Sequence, residues 1–325
     1  MIVIAGEALV DLIERPLEID PQTGEQPPVY DAYLGGGPFN ASLALGSLGR
    51  NVGYLFPLSK DAYGRRLAAR LEHSGVKVLL ETPSEKSTPL ALVGLDENGK
   101  ASYRFYRQGT SDRDFTAEGL INGLPEKPDA VMTGTLAIAE GNDPAVLRAL
   151  LDEARSRGAV TVVDPNMRPE AYQDRSGYAA RVMTVVDGAD VVKASDDDLA
   201  VLFPAAEPEA ALRKLISDYH VKIAVMTRGT EGAIALTPHT RIEVPAYIAP
   251  TFGDTVGAGD CFLGGLLDVL VPSGSNGTRD MAQTSAETLE AALRQAVVVA
   301  GLNCAVSGCR PPTREAVETV LGGSK

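Results

Sequence analysis

The chain has 325 residues, 44% of them hydrophobic and 22% charged, with a formal net charge of −13. That length allows one large domain or two ordinary ones, and the apolar share excludes global disorder. The acidic balance speaks against nucleic-acid binding, which needs basic patches to displace counterions; Arg65, Arg66 and Arg70 lie at helical spacing beside acids and read as a solvated face.

The opening "MIVIAGEALVDL" reads as a first strand. It lacks a basic leader and meets Glu7 and Asp11 early, unlike a signal peptide. No apolar run approaches the ~18 residues of a membrane span. The turn-rich stretch 15–36 is placed to hold strands of a small sheet. Next come a helix over "PFNASLALGSLG", a strand in "NVGYLFPL", a helix over "DAYGRRLAARLEHSG" and a strand in "VKVLL". Residues 88–109 differ, with two strand-like runs flanking Asp96-Glu97-Asn98-Gly99, a hairpin signal. Alternation there puts Tyr103, Phe105 and Arg107 on one face. From residue 129 apolar β-branched runs alternate with amphipathic helices. Asp143 is the expected cap of the helix that starts at Pro144. The pattern predicts one α/β core with a mostly parallel sheet covered on both faces, plus a small β lid from about 12–34 and 88–109. Cys261, Cys304 and Cys309 make no disulfide framework, and no histidine sits near the last two to suggest zinc. A reducing cytoplasm fits.

In open α/β sheets ligands bind beyond the carboxyl ends of the strands. Three successive strand ends carry unusual loops: Asp164-Pro165-Asn166-Met167-Arg168, Lys193-Ala194-Ser195-Asp196-Asp197-Asp198, and Thr227-Arg228-Gly229-Thr230-Glu231-Gly232. Singly, each has a plain reading: a turn, a run of helix-start acids, a hairpin. Side by side they offer cations, carboxylates and a glycine turn, a combination suited to a nucleoside triphosphate with magnesium. The stretch "DTVGAGDCFLGGLL" is more specific. Gly257, Ala258 and Gly259 bring backbone N–H groups to a helix start, a place that favours phosphate. Gly36 and Gly37 in "LGGGPFN" let the backbone approach a ligand, and Asn40 both donates and accepts, as polyol recognition requires. No P-loop and no dinucleotide fingerprint is present. The three histidines are scattered, so carboxylates are left as the plausible bases.

With "GGGPFNASLALGSLG" and "DTVGAGDCFLGGLL" in place, the chain resembles the ribokinase-like (PfkB) carbohydrate kinases over nearly its full length. Its "GGGPFN", "DPNMRP" and "VKASDDDLAVLF" look most like those of bacterial fructokinases. The resemblance implies a ribokinase-like three-layer α/β/α sandwich with a β lid, and a homodimer formed through that lid. It implies Asp260 as catalytic base and Gly257, Ala258 and Gly259 as anion hole. It places Asp11, Gly36, Gly37 and Asn40 on sugar hydroxyls, with Arg107 and Arg168 near the sugar. Lys193, Ser195, Thr227, Gly229 and Gly232 would contact ATP. Asp254 and the Val256 backbone match a monovalent-cation site, for K+. The family's Asn-x-x-Glu motif, linked to Mg2+, stands here as Ser195-Asp196-Asp197-Asp198, with Asp198 at the glutamate. Two further departures are Ser59, where a glycine is usual, and the C-terminal "GLNCAVSGCRPPT".

The expected reaction is transfer of the ATP γ-phosphate to a primary hydroxyl of a small sugar, fructose to fructose 6-phosphate first. Ketodeoxygluconate, ribose and nucleosides are the alternatives within the family. A sugar- or nucleotide-binding sensor without catalysis is the alternative outside enzymes, and an intact Asp260 argues against it.

Overall fold

The computed structural model describes residues 1–14, 24, 29–95, 101–172, 177–274 and 280–323. The apolar opening run forms two strands rather than one. They are β1 (Ile2–Ala5) and β2 (Leu9–Glu14), and they lie in different sheets. The break has a local cause. Gly6 sits so close to Pro38 that a Cβ would overlap it, and the Tyr54 hydroxyl donates to the Gly6 carbonyl at 2.6 Å. The chain is pinned there and turns from one sheet to the other.

The elements then follow the expected alternation. β3 (Tyr30–Gly35) leads into α1 (Gly37–Ser47), β4 (Val52–Tyr54), α2 (Ala62–His73) and β5 (Val76–Val78). β6 (Leu90–Leu95) and β7 (Ala101–Tyr106) form an antiparallel pair in register Leu90↔Tyr106 to Leu95↔Ala101. The Asp96–Gly99 turn expected between them lies outside the described residues, as does most of 15–28. After α3 (Ala117–Gly123) come β8 (Ala130–Gly134), α4 (Asp143–Ser156), β9 (Val160–Asp164), α5 (Tyr178–Val186) and β10 (Val191–Ser195). α6 (Asp196–Leu202) and α7 (Pro208–Ser217) precede β11 (Ile223–Thr227), β12 (Ala233–Leu236) and β13 (Arg241–Val244). Three helices finish the chain: α8 (Ala258–Leu270), α9 (Ala286–Asn303) and α10 (Arg314–Gly322). One cap differs from expectation. Asn142, not Asp143, holds the cap position of α4, without a side-chain hydrogen bond, and Pro144 supplies the fixed start.

The large sheet runs β13-β12-β11-β10-β9-β8-β1-β4-β5 and is parallel except for β11–β12 and β12–β13. The small sheet runs β3-β2-β6-β7. Strands β1, β8 and β9 are buried along their whole length. This is why their sequences are continuous apolar runs rather than alternating ones. Each such Val, Ile or Leu contributes roughly 1.5–3 kcal/mol on burial. Helices α1, α2 and α8–α10 pack in one connected group; α3, α4 and α5 pack together, as do α6 and α7. The result is a mixed α/β molecule with helices against a mostly parallel sheet and a separate four-stranded sheet at one side. Asp164, Ser195 and Thr227 end three adjacent strands, β9, β10 and β11, so their loops share one rim. The plain reading of the Thr227–Gly232 loop also holds. It is the β11–β12 hairpin turn, closed by Arg228 N–H to the Gly232 carbonyl at 2.9 Å.

Candidate active site

At this rim two helix starts meet. Gly36, at φ 109°, precedes α1, and Gly257, at φ 72°, precedes α8. Both backbones need glycine, since L side chains rarely adopt those angles. Asn40 on the first turn of α1 donates from Nδ2 to Asp260 Oδ2 on the first turn of α8, at 2.9 Å. Gly37 lies close to the same carboxylate: a Cβ there would meet Asp260 Oδ1 at 3.3 Å. The two glycine motifs, some two-thirds of the chain apart in sequence, thus build one site.

A cavity of about 320 Å³ opens on this pair. Of the expected sugar residues, Asp11, Gly36, Gly37, Asn40 and Arg168 line it together with Asp260 and Gly257. Phe105 of β7 reaches it from the lid. Arg107 does not line it. Its guanidinium is buried, with Nε on Asp112 Oδ2 at 2.6 Å and Nη1 on the Leu136 carbonyl at 3.2 Å. A larger cavity, about 550 Å³, lies between β3 and the Ser307–Arg310 segment; it shares Asp11, Asn40 and Val256 but not Asp260. The Asn40–Asp260 pair at the start of α8 thus opens on the smaller one.

Asp260 is partly buried, and loss of solvent raises its carboxyl above the usual range; the Asn40 hydrogen bond and the charges of Lys193 and Arg168 oppose the rise. A base with a raised pKa is better matched to taking a hydroxyl proton near neutrality. Asp11 is pushed to about 6 by burial and by the Asp260 charge. The anion-hole amides are only partly as expected. Ala258 N–H bonds the Thr255 carbonyl at 3.1 Å, and the first α-helical bond is Cys261 N–H to Gly257 O at 2.8 Å. The amides of Gly259 and Asp260 fall between, in the turn that has no intrahelical acceptor.

Lys193 is buried beneath this turn. Its Nζ lies 3.1 Å from Asp164 Oδ2 and would sit 3.2 Å from a Cβ at Gly259. Burial alone would lower its pKa, but the charges of Asp164, Asp198 and Asp260 hold it above the ordinary lysine value. Asp164 is raised to about 6 by burial, with Lys193 opposing. Lys193, Ser195, Thr227, Gly229 and Gly232 line neither cavity; they run along the rim beyond Asp260. Gly232, at φ 91°, packs on the backbone of residues 244–246, so the hairpin itself requires it.

The expected cation residues are tied into their loops. Asp198 Oδ1 accepts from Met167 N–H at 2.6 Å and Oδ2 from Ser195 N–H at 2.7 Å, while Ser195 Oγ accepts from Asp198 N–H at 3.0 Å, a capping box for α6. Asp254 accepts from Val256 N–H at 2.9 Å and Gly308 N–H at 2.8 Å, and the Val256 carbonyl accepts from Asn303 Nδ2 at 2.8 Å. Each of these oxygens carries a second lone pair, so the same bonds that hold the loops also orient the oxygens. No group of three or more histidine, cysteine or acidic side chains with metal-site geometry occurs among the described residues.

Sequence reasoning gave three residues here no place in the sugar site. Thr135 and Asn166 line the cavity with φ 57° and 38°, in the left-handed region. Asn166 follows Pro165 at a strand end and is a residue type that tolerates this; Thr135 carries no such signal. Glu7 also lines the cavity, at the break between β1 and β2.

Comparison with known proteins agrees with the geometry. The chain matches the pfkB family carbohydrate kinase description over residues 1–316. It is 34% identical to a fructokinase of Rhizobium leguminosarum bv. trifolii over 268 residues, covering 82% of this chain and 78% of that one. The Vibrio cholerae O395 fructokinase in its fructose-, ADP- and calcium-bound form superposes at TM-score 0.80 with 27% identity, covering 98% of this chain and 97% of that chain. The ATP-bound fructokinase of Xylella fastidiosa shares the fold at TM-score 0.86 and 24% identity, covering 100% and 99%. The chain belongs to the PfkB family of carbohydrate kinases. It is a phosphotransferase that uses a sugar hydroxyl as acceptor and ATP as donor.

Proposed function

We propose that the sugar is a neutral ketohexose, fructose, phosphorylated at its 6-hydroxyl. The observation that carries the reading is one cavity at the start of α8, lined by Asp260, the Asn40 that bonds it, and Asp11. Acceptors dominate its polar wall, and among the described residues Arg168 is its single basic side chain, which favours a ligand rich in hydroxyls over a phosphosugar. The curated relatives named as fructokinases support the same choice.

In this reading the hydroxyl lies between Asp260 and the γ-phosphate. Asp260 accepts the proton as the oxygen attacks in line. The amides at the start of α8 and the Lys193 charge stabilise the transferring group. Asp198 and Asp164, next to Lys193 on this rim, are the carboxylates that would face a magnesium–nucleotide, and the ion would neutralise charge on the phosphates. The lid brings Asp11 and Phe105 over the sugar and excludes water. We extend the reading to a cytoplasmic homodimer through the lid. Tyr33 and Tyr106, 44% and 53% exposed, lie on its two edge strands, where unpaired backbone favours association.

The test is a panel of fructose, ketodeoxygluconate, ribose and nucleosides with ATP, with products located by NMR. Fructose 6-phosphate as the fastest product is expected. Fructose failing while another acceptor turns over rejects the substrate. Light scattering on the purified protein reads the dimer.

A further inference from the structure

Glu7 sits where the chain leaves the large sheet for the lid. It is 2% exposed, yet it lines the cavity that holds Asp260. One oxygen, Oε1, accepts from the Thr135 hydroxyl. The other, Oε2, is buried with no hydrogen-bond partner. Buried carboxylate oxygens are seldom left so.

Two neighbouring facts point to a ligand. Thr135, which orients Glu7, holds φ 57°, an angle that strains a β-branched residue. Strain of this kind persists where the surroundings over-determine a position, and it gathers at ligand sites. Arg107, whose positive charge acts on the Glu7 carboxyl, shows the matching defect: Nε and Nη1 are bonded, but buried Nη2 has no acceptor. The unused acceptor belongs to a residue of the cavity wall, whereas Arg107 lies outside that wall and acts on Glu7 through its charge. A hydroxyl entering the cavity can donate to such an acceptor.

We propose that Glu7 is a specificity-determining residue whose free Oε2 accepts a hydrogen bond from a sugar hydroxyl other than the one Asp260 activates. Gly37 lies between Thr135, which bonds Glu7, and Asp260. A Cβ there would meet Thr135 Cγ2 at 2.7 Å on the Glu7 side and Asp260 Oδ1 at 3.3 Å on the other. The assignment rests on the sugar-kinase reading of the same cavity.

The experiment couples a protein change to a substrate change. Wild type and Glu7→Gln are compared at saturating ATP on the parent sugar and on its single-deoxy analogues. In wild type, one analogue lacking a hydroxyl that is not phosphorylated loses about tenfold or more in kcat/KM. Glu7→Gln loses a similar factor on the parent sugar, mostly through KM, and loses no more on that analogue. Equal losses in both enzymes for every analogue overturn the proposal and leave Glu7 a structural residue. Circular dichroism checks folding. If the amide variant does not fold, Glu7→Asp keeps the charge and withdraws the oxygen by one methylene, and the same coupling is expected. Turnover of fructose by the wild type tests the substrate; the coupling is read on whichever sugar the wild type phosphorylates fastest, so either reading can fail alone.

Discussion

Asn40 Nδ2 lies 2.9 Å from Asp260 Oδ2, and this one hydrogen bond ties the first turn of α1 to the first turn of α8. It also favours the ionised carboxylate against the burial that raises its pKa. Asp260→Asn is expected to lower kcat by about 10²–10⁴-fold with the fold intact, the range for loss of a general base. Asn40→Ala should lower kcat by a smaller factor and move the acidic limb of the kcat profile to higher pH, because a group that lowers the pKa is gone. Near-normal turnover in Asp260→Asn rejects it as base. An unmoved acidic limb in Asn40→Ala rejects the coupling.

Lys193 and Asp164 form a buried pair, 5% and 1% exposed at their side chains. Lys193→Met leaves a buried carboxylate unpaired, which typically costs about 3–5 kcal/mol. The charge is present only above the Asp164 pKa, so the loss should be larger at pH 8 than at pH 5. Urea melts at both values measure it, and a loss independent of pH contradicts the assignment.

Gly257 stands at φ 72°, and a Cβ would approach Cys309 Sγ to 2.6 Å. Gly257→Ala should cost about 1–2 kcal/mol from the backbone alone and reduce kcat roughly 10–100-fold as the amides shift. Gly274→Ala is the control: it has the same φ and open space around it. It should lose comparable backbone stability and keep its kcat. Equal kcat in both variants would remove Gly257 from the anion site.

Asp11 titrates near 6 in the folded protein against 3.8 in an ordinary aspartate. The unfolded chain ionises first, so the fold loses stability as pH rises from about 4 to about 6 and keeps that loss above. Asp11→Asn should therefore be more stable than wild type by roughly 1–3 kcal/mol at pH 7–8, with the gap closing below pH 4. The same variant should bind sugar more weakly. Thermal melts across pH 4–8 decide this; a constant gap refutes it.

Asp198→Asn should act on α6 rather than on chemistry, costing about 0.5–2 kcal/mol for the capping box and less than tenfold in kcat. A collapse of kcat, together with a raised magnesium requirement, would instead make Asp198 a metal residue.

Much of this was readable from the chain. The sheet was legible because β8–β11 are mostly buried and rich in Val, Ile, Ala and Met, without the strict alternation of a half-exposed strand. The two glycine starts were legible because few residues allow such backbones. Other features were not. The β1–β2 break falls at Gly6-Glu7-Ala8, a dip too short to end a strand by itself, and contacts with Pro38 and Tyr54 fix it there. Arg107 reads as a ligand-facing arginine, but Asp112, five residues on, folds back and takes it through the turn at Thr110. Ser195-Asp196-Asp197-Asp198 carried both a nucleotide reading and a helix-start reading. The hydrogen bonds of Asp198 favour the second, and no pattern in one dimension shows where two carboxylate oxygens point.

The short crossing from Ala5 to Leu9 has a mechanical consequence. Four peptide steps reach at most about 14 Å. Strand β2 of the small sheet is therefore held within that distance of β1, which pairs with β4 and β8 inside the large sheet, and Glu7 stands midway along the tether. Any displacement of the small sheet relative to the large one is bounded at this point by the same length.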